Sequence, residues 1–115
     1  MNQSIEREIQ EKGLTAPRIT PADIEANIAG EHYFTAENGA DSSSMAEFSK
    51  GSMKGLNVIT FCVIVLRNGF AVTGESACAS PENFSAEIGR KIARDNAVNK
   101  IWPLMGYELK TKLAA

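Results

Sequence analysis

The segment GESACASPENF, Gly74 to Phe84, concentrates residue types that do chemistry: two serines, one cysteine and two glutamates within eleven residues. A nucleophile elbow of the Gly-x-Ser-x-Gly kind needs a second glycine, because its turn is strained, and Cys78 stands at that position. A phosphate cradle needs several glycines so that backbone amides can reach the anion. The only histidine of the chain, His32, is far away in sequence. We therefore assign no catalytic residue and predict that the protein is not an enzyme.

The same segment is typical of a boundary between a strand and a helix. Ser80 is a suitable N-cap, Pro81 suits the first helical position, and Glu82 favours the positive end of the helix dipole. We predict that a helix begins here. The alternative is a polar or anionic ligand held at the helix start, with contacts from Glu75, Ser76, Ser80 and Asn83.

A basic cluster follows on the predicted helix. Arg90, Lys91 and Arg94 lie on one side of it, either as a solvated face with acid–base pairs at four-residue spacing or as phosphate contacts. In the ligand-binding hypothesis, a small nucleotide lies in a pocket between subunits, and Arg90 and Arg94 hold its phosphates. Tyr33 or Trp102 then stacks on its base.

The composition is that of an ordinary soluble globular protein. Its 115 residues suit a single domain, 43% of them are hydrophobic, and the formal net charge is -2. That charge gives no global attraction to nucleic acid or to an anionic membrane. The longest apolar run, VITFCVIVL, has nine residues and is too short to span a bilayer as a helix. The N-terminus has no apolar signal-peptide core, so we expect an intracellular protein.

The chain has two cysteines, Cys62 and Cys78. Two are too few for a secreted scaffold held together by disulfides. With a single histidine they do not make a zinc site within one chain. We predict buried, unbridged cysteines and expect no metal or cofactor.

The strongest structural pattern is NVITFCVIVLRNGFAVTGESAC, in which two β-rich runs flank the Asn-Gly dipeptide at 68–69. This dipeptide is typical of a two-residue hairpin loop with a type I′ turn. If Arg67 pairs with Phe70, then Cys62 lies opposite Glu75. Both faces of the first strand are apolar, and one layer of helices covers only one of them. We therefore expect a second subunit on the other face.

Two helices are predicted to pack on this hairpin. The first begins after Thr20, a good N-cap followed by Pro21 and by Asp23 at the third helical position. Its buried face contains Ile24 and Ile28, four residues apart. The second is the long run SPENFSAEIGRKIARDNAVNKIW, whose predicted buried face is Phe84, Ile88, Ile92, Ala93, Ala97 and Ile101.

The long helix is predicted to break or kink near its C-terminal end. Pro103 disfavours helical geometry at Trp102, so the segment PLMGYELKTKL forms a separate short amphipathic piece. Residues 1–17 are predicted to be an amphipathic or flexible arm, and residues 18–115 a single domain. A serine- and glycine-rich stretch at about 37–55 is predicted to be a mobile loop inside that domain.

Three stretches carry a resemblance to a known family: RITPADIEANIAGEHYFTA, NGF-VTGESAC and GRKIAR-NAV-KIWPL-GY. Over about residues 18 to 113 the chain resembles a family of small tailed-bacteriophage proteins named after one gene each of a coliphage and a Shigella phage. The resemblance implies a phage accessory protein made inside the bacterium. It carries over no catalytic residues.

We therefore predict an α+β fold in which an antiparallel β-hairpin packs against a long C-terminal helix and a shorter N-terminal helix. We expect oligomerisation to complete it. The function that we expect is non-enzymatic binding of a host target in the bacterial cytoplasm, in one version by sequestering a nucleotide signal of bacterial defence. One alternative is a nucleic-acid-binding module that uses the basic helix face. Another is a host-protein inhibitor that acts by direct contact, through the hairpin edge or the loop.

Overall fold

The computed structural model of the protein describes residues 3–42 and 55–115. The fold is α+β, as predicted, with an antiparallel sheet of three strands in the order β1-β2-β3. The strands are β1 (Ile28–Thr35), β2 (Ile59–Leu66) and β3 (Ala71–Ala77). The helices are α1 (Gln3–Glu11), α2 (Pro21–Ala26), α3 (Ala36–Ser42) and α4 (Ala86–Ala114), with short 3₁₀ helices at Leu56–Val58 and Pro81–Asn83. The predicted loop at 37–55 begins inside α3, and most of it lies outside the described residues.

Helix α2 begins where its capping residues indicate. The Thr20 hydroxyl accepts a hydrogen bond from the Asp23 amide at 3.1 Å, and the Asp23 carboxylate accepts one from the Thr20 amide at 2.9 Å. The prediction that this helix continues through Ile28 is wrong, because α2 ends at Ala26 and Ile28 opens a strand. Pairing with the distant β2 therefore outweighs the helical spacing of the two isoleucines.

Strand β1 is the third strand, which the sequence analysis missed. It runs antiparallel to β2, with Gly30 opposite Val65 and Thr35 opposite Thr60. The aromatic residues Tyr33 and Phe34 lie in this strand and point to opposite faces of the sheet. The predicted hairpin of β2 and β3 is present, and β1 extends it into a sheet.

The hairpin turn differs from the predicted type. The Leu66 amide donates to the Phe70 carbonyl at 2.8 Å, so three residues rather than two form the loop. Gly69 has a φ of 90°, and no described residue other than glycine has a positive φ. A type I turn followed by a left-handed glycine has this pattern. The register is consequently shifted by one residue, so that Cys62 lies opposite Gly74 and Phe61 opposite Glu75.

The long helix α4 is continuous for 29 residues and contains Pro103. The predicted break at Trp102 is therefore wrong, since Ile101 and Met105 pack on the core on either side of the proline. The predicted N-cap is also wrong. Ser80 precedes the 3₁₀ helix and makes no side-chain cap, whereas Ser85 accepts a hydrogen bond from the Ile88 amide and caps α4.

The face of α4 that packs on the sheet is made of small residues. Gly89, Ala93, Ala97 and Ile101 are buried, whereas Ile88 and Ile92, which the periodicity assigned to the buried face, are exposed. Gly74 of β3 lies directly beneath this face. A Cβ atom at Gly74 would overlap the backbone of Ala93 and Ala97. The helix and the strand are therefore in backbone contact at this point.

The core lies between the sheet and the helices α2 and α4. It consists of Ile24, Cys62, Ile64, Leu66, Val72, Ala93, Ala97 and Ile101. The alternate residues of β2 point to the opposite face and remain half-buried. At the N-terminal end, α1 is joined to the following segment by an ion pair between Glu6 and Arg18 at 2.7 Å. None of the described helices is both long enough and apolar enough to span a membrane.

Candidate functional site

A groove lies between the hairpin turn and the C-terminal half of α4. Its volume is about 230 Å³, and its lining residues are Asn27, Leu66, Asn68, Phe70, Leu104, Met105 and Glu108. We call it the hairpin-end groove. Leu66 is buried and Met105 half-buried, so the base of the groove is apolar.

Asn27 joins the three elements that form the groove. It follows the last residue of α2, and its carbonyl accepts a hydrogen bond from the Arg67 amide at 2.9 Å. Its side-chain amide lies 3.4 Å from the sulfur of Met105 on α4. Arg67 in addition donates from Nε to the Ala26 carbonyl at 3.2 Å. These contacts fix the hairpin turn against α2 and α4, so the groove is preformed.

The rim of the groove is unusually apolar for a protein surface. Phe70 is 56% exposed and Leu104 is 41% exposed. One turn further along α4, Tyr107 is 78% exposed. Large aromatic and aliphatic side chains that remain in solvent beside a preformed groove are typical of protein-binding surfaces.

A second, smaller pocket lies at the start of α4. Its volume is about 130 Å³, and its lining residues are Tyr33, Phe34, Thr35, Asn38, Thr60, Ala86 and Arg90. It brings together two residues of the ligand-binding hypothesis, Tyr33 and Arg90. Arg90 is exposed and makes no hydrogen bond or ion pair with another described residue.

Arg94 is engaged by two carboxylates. Its guanidinium donates to Glu25 of α2 at 2.9 Å and to Glu31 of β1 at 2.8 Å. The hydrogen bond from Arg94 lowers the pKa of Glu31 below its ordinary value, and the Tyr33 hydroxyl, which donates to Glu31 at 2.8 Å, acts in the same direction. Hydrogen bonds to Glu31 and Glu25 in turn raise the pKa of Arg94. Arg94 therefore joins α4 to α2 and β1, and its guanidinium donates to Glu25 and Glu31 rather than to a ligand.

Two core groups near this cluster are held in their neutral forms. Burial, followed by the hydrogen bond to Glu31, raises the pKa of Tyr33. Burial also raises the pKa of the Cys62 thiol. Neither group is thus prepared to act as a nucleophile, since a reactive cysteine needs a lowered pKa.

Within one chain, the other residues of the ligand-binding hypothesis lie apart from one another. Glu75 is exposed on the sheet face opposite the helices, and its carbonyl accepts a hydrogen bond from the Asn96 side chain at 2.8 Å. Ser76 pairs with Thr60 inside the sheet. Ser80 and Asn83 lie at the exposed 3₁₀ turn before α4. Trp102 packs on the core twelve residues after Arg90, which is about 18 Å along a helix.

Two further observations concern the cysteines and metal binding. Cys62 and Cys78 are both free, and the Cys78 thiol donates to the Ser80 carbonyl at 3.1 Å. Within residues 3–42 and 55–115, no group of three or more His, Cys, Asp and Glu side chains is placed to hold a metal ion.

No sequence pattern predicted the hairpin-end groove as a site. In the predicted hairpin Phe70 has only the role of a pairing partner, although a large apolar residue directly after a turn is an indication of a surface contact. The contribution of Asn27 had no indication in the sequence, because its partners lie about 40 and 78 residues away.

The description "Phage protein (N4 Gp49/phage Sf6 gene 66) family" matches residues 19–113. No curated protein and no solved structure matches the chain. The matched range contains the whole sheet and nearly all of α4, and it confirms the resemblance that the sequence motifs indicated. The chain therefore belongs to the phage protein family named after N4 Gp49 and gene 66 of phage Sf6.

Proposed function

We propose that this phage protein is a non-enzymatic binding protein that acts on a host protein in the bacterial cytoplasm by direct contact. The observation that carries the proposal is the hairpin-end groove, with Phe70 and Leu104 in solvent at its rim and Tyr107 exposed one turn further along α4. A groove of about 230 Å³ accepts one or two large apolar side chains of a partner. Exposed aromatic residues around such a groove supply contact area at little cost in conformational entropy.

Sequestration of a nucleotide is less well supported by the geometry. The pocket beside Arg90 measures about 130 Å³, whereas small-molecule sites usually have roughly 300–1,000 Å³. The second cation of that hypothesis, Arg94, already binds Glu25 and Glu31. A nucleotide would therefore need additional walls, and it would meet one free guanidinium rather than two.

Nucleic-acid binding through the basic helix face is disfavoured for a similar reason. Lys91 pairs with Glu87 at 3.2 Å, and Arg94 is held by two carboxylates. Of the three cations of the basic cluster, only Arg90 has no partner among the described residues. Affinity for nucleic acid rises with the number of phosphates that the protein neutralises. A single free cation therefore adds little affinity.

The proposal predicts a position-specific contact with a host protein. Tyr107 is replaced in living bacterial host cells by the photoreactive analogue p-benzoylphenylalanine, which preserves an aromatic side chain at a position that is 78% exposed. After irradiation we expect one discrete adduct with a host protein, identified by mass spectrometry. Adding Phe70→Ala should weaken this contact by about 30-fold, the effect of losing an aromatic interface anchor.

The control places the same analogue at Ile88, which is 57% exposed at the other end of α4. No adduct, or the same adducts from both positions, would contradict the proposal. The thermal unfolding of Phe70→Ala is measured in parallel. Because this side chain is largely in solvent, its loss should change the free energy of unfolding by less than about 1 kcal/mol.

A further inference from the structure

The sheet has a second face, which α2 and α4 do not cover. Its centre is the alternate row of β2, namely Ile59, Phe61, Val63 and Val65, and all four residues are half-buried. The residues beside them are Gly30, His32 and Phe34 on β1 and Ala71, Thr73, Glu75 and Ala77 on β3. We call this surface the open sheet face. Phe34 is 39% exposed on it, and its ring lies 5.6 Å from that of Phe61.

The ionisable side chains of the open sheet face lie at its two sides. Glu75 is on the outer strand β3, and His32 is on the outer strand β1. The central row between them is entirely apolar. A surface of this kind is not complementary to a charged partner, but it is complementary to itself when a two-fold axis runs parallel to β2. In that arrangement β1 of one copy faces β3 of the other, so that His32 and Glu75 lie on the same side of the interface, two residues apart along the strand direction.

We propose that a second copy of this chain covers the open sheet face, so that two sheets pack face to face in a symmetric dimer. Sheets that pack in this way lie about 10 Å apart and interdigitate their inner side chains. The formal net charge of each copy is only -2, so long-range repulsion between two copies is small.

The size of the face decides how strong the dimer is. Three strands of about seven residues measure roughly 14 by 24 Å, because strands are about 4.8 Å apart and rise about 3.4 Å per residue. Each copy thus contributes about 340 Å² of flat area and the two copies about 680 Å², and the relief of the side chains increases this total toward the lower limit of about 1,000 Å² for specific interfaces. The dimer is therefore expected to dissociate at micromolar concentrations.

The small core gives an independent reason for this dimer. The described residues bury nine apolar side chains, and two of these are alanines. The fraction of its surface that a chain buries on folding rises with chain length, so a short chain gains less stability from burial. Covering Phe34, Phe61 and Val63 in a dimer would add apolar burial that one copy lacks, and it would stabilise the fold by mass action.

The experiment is sedimentation equilibrium of the full chain between about 1 and 300 µM, for the wild type and for Val63→Lys. Val63 lies at the centre of the face, so a lysine there should raise the dissociation constant at least about 100-fold, because a charge would be buried in an apolar contact. We expect a monomer–dimer equilibrium for the wild type and a monomer for the variant.

The matched control is Ile92→Lys. Ile92 is 46% exposed on α4, on the far side of the molecule, and this variant should dimerise like the wild type. If Val63→Lys fails to fold by circular dichroism, then Val63→Thr, which preserves the branched shape, should still raise the dissociation constant by about tenfold. A wild type that is monomeric at 300 µM, or a folded Val63 variant that dimerises unchanged, would overturn the proposal. Val63 is outside the hairpin-end groove. Neither result therefore decides the test of the proposed function at Tyr107.

Discussion

Replacing Gly74 by alanine should lower the free energy of unfolding by about 3 kcal/mol or more, an effect at the upper end of those produced by overpacking. The added methyl group would overlap backbone atoms of Ala93 and Ala97, and it would lie 2.9 Å from the Ala97 Cα atom. Backbone in the middle of a helix cannot rotate away as a flexible side chain can, so α4 as a whole must move off the sheet. Urea unfolding followed by circular dichroism measures the loss.

A second glycine-to-alanine change gives the control for this experiment. Gly106 lies in α4 with no atom within 4 Å of the position that a Cβ would occupy. Gly106→Ala should therefore stabilise the protein by about 0.5–1 kcal/mol, the usual difference in helix propensity. Equal effects of the two substitutions would show that helix propensity, rather than contact between α4 and β3, governs both positions.

Replacing Arg94 by methionine should lower the free energy of unfolding by about 2 kcal/mol, a typical value for a lost hydrogen bond to a charged group. The change removes the link from α4 to α2 and β1 and leaves Glu31 with Tyr33 as its hydrogen-bond donor. We keep the expected value moderate because Glu25 is 57% exposed and its share of the interaction is screened by solvent.

The Arg94 effect should also depend on pH. Arg94 holds the pKa of Glu31 in the folded protein below its ordinary value of 4.5. The ion pair therefore stabilises the fold above about pH 4.5, and this contribution is lost as the pH falls through the folded pKa. The difference in stability between the wild type and Arg94→Met should accordingly shrink when unfolding is measured at pH 3 instead of pH 7.

Lys91→Met is the matched control for Arg94→Met, since it removes a cation less than one turn away on the same helix. Lys91 and Glu87 form an ion pair in which both side chains are 72% exposed. Exposed pairs at this spacing contribute little, so the loss should be below about 0.5 kcal/mol at either pH. A loss for Lys91→Met as large as that for Arg94→Met would indicate a general effect of charge on α4.

The sequence predicts those elements that depend on contacts between residues close together in the chain. The cap of α2 is readable because Thr20 and Asp23 bond to each other's backbone over three residues. The hairpin itself is readable from its Asn-Gly dipeptide. Its register is not, because within the turn Gly69 takes the left-handed conformation and Asn68 does not, and the loop gains a residue. That single residue moved Glu75 from the helix-covered face to the open sheet face.

Strand β1 and the continuity of α4 depend on contacts between distant residues. Ile24 and Ile28 have helical spacing, and only pairing with a strand about 30 residues later turns the second of them into β1. The local rule for Pro103 favours a break, but packing of Ile101 and Met105 on the core outweighs it. The candidate site could not be predicted for the same reason, because Asn27, Phe70 and Leu104 lie near one another only in the folded sheet and α4.

The residues at four-residue spacing along α4 grow larger toward its C-terminus, from Gly89 through the two alanines to Ile101 and Met105. Small residues let the first half of the helix lie against the sheet, whereas larger ones move the second half away from it. The free energy needed to open the backbone is therefore graded within one helix, highest over Gly74 and lowest in the last turns. The last turns of α4, beyond the groove residue Glu108, can therefore open while the sheet and the hairpin-end groove remain intact.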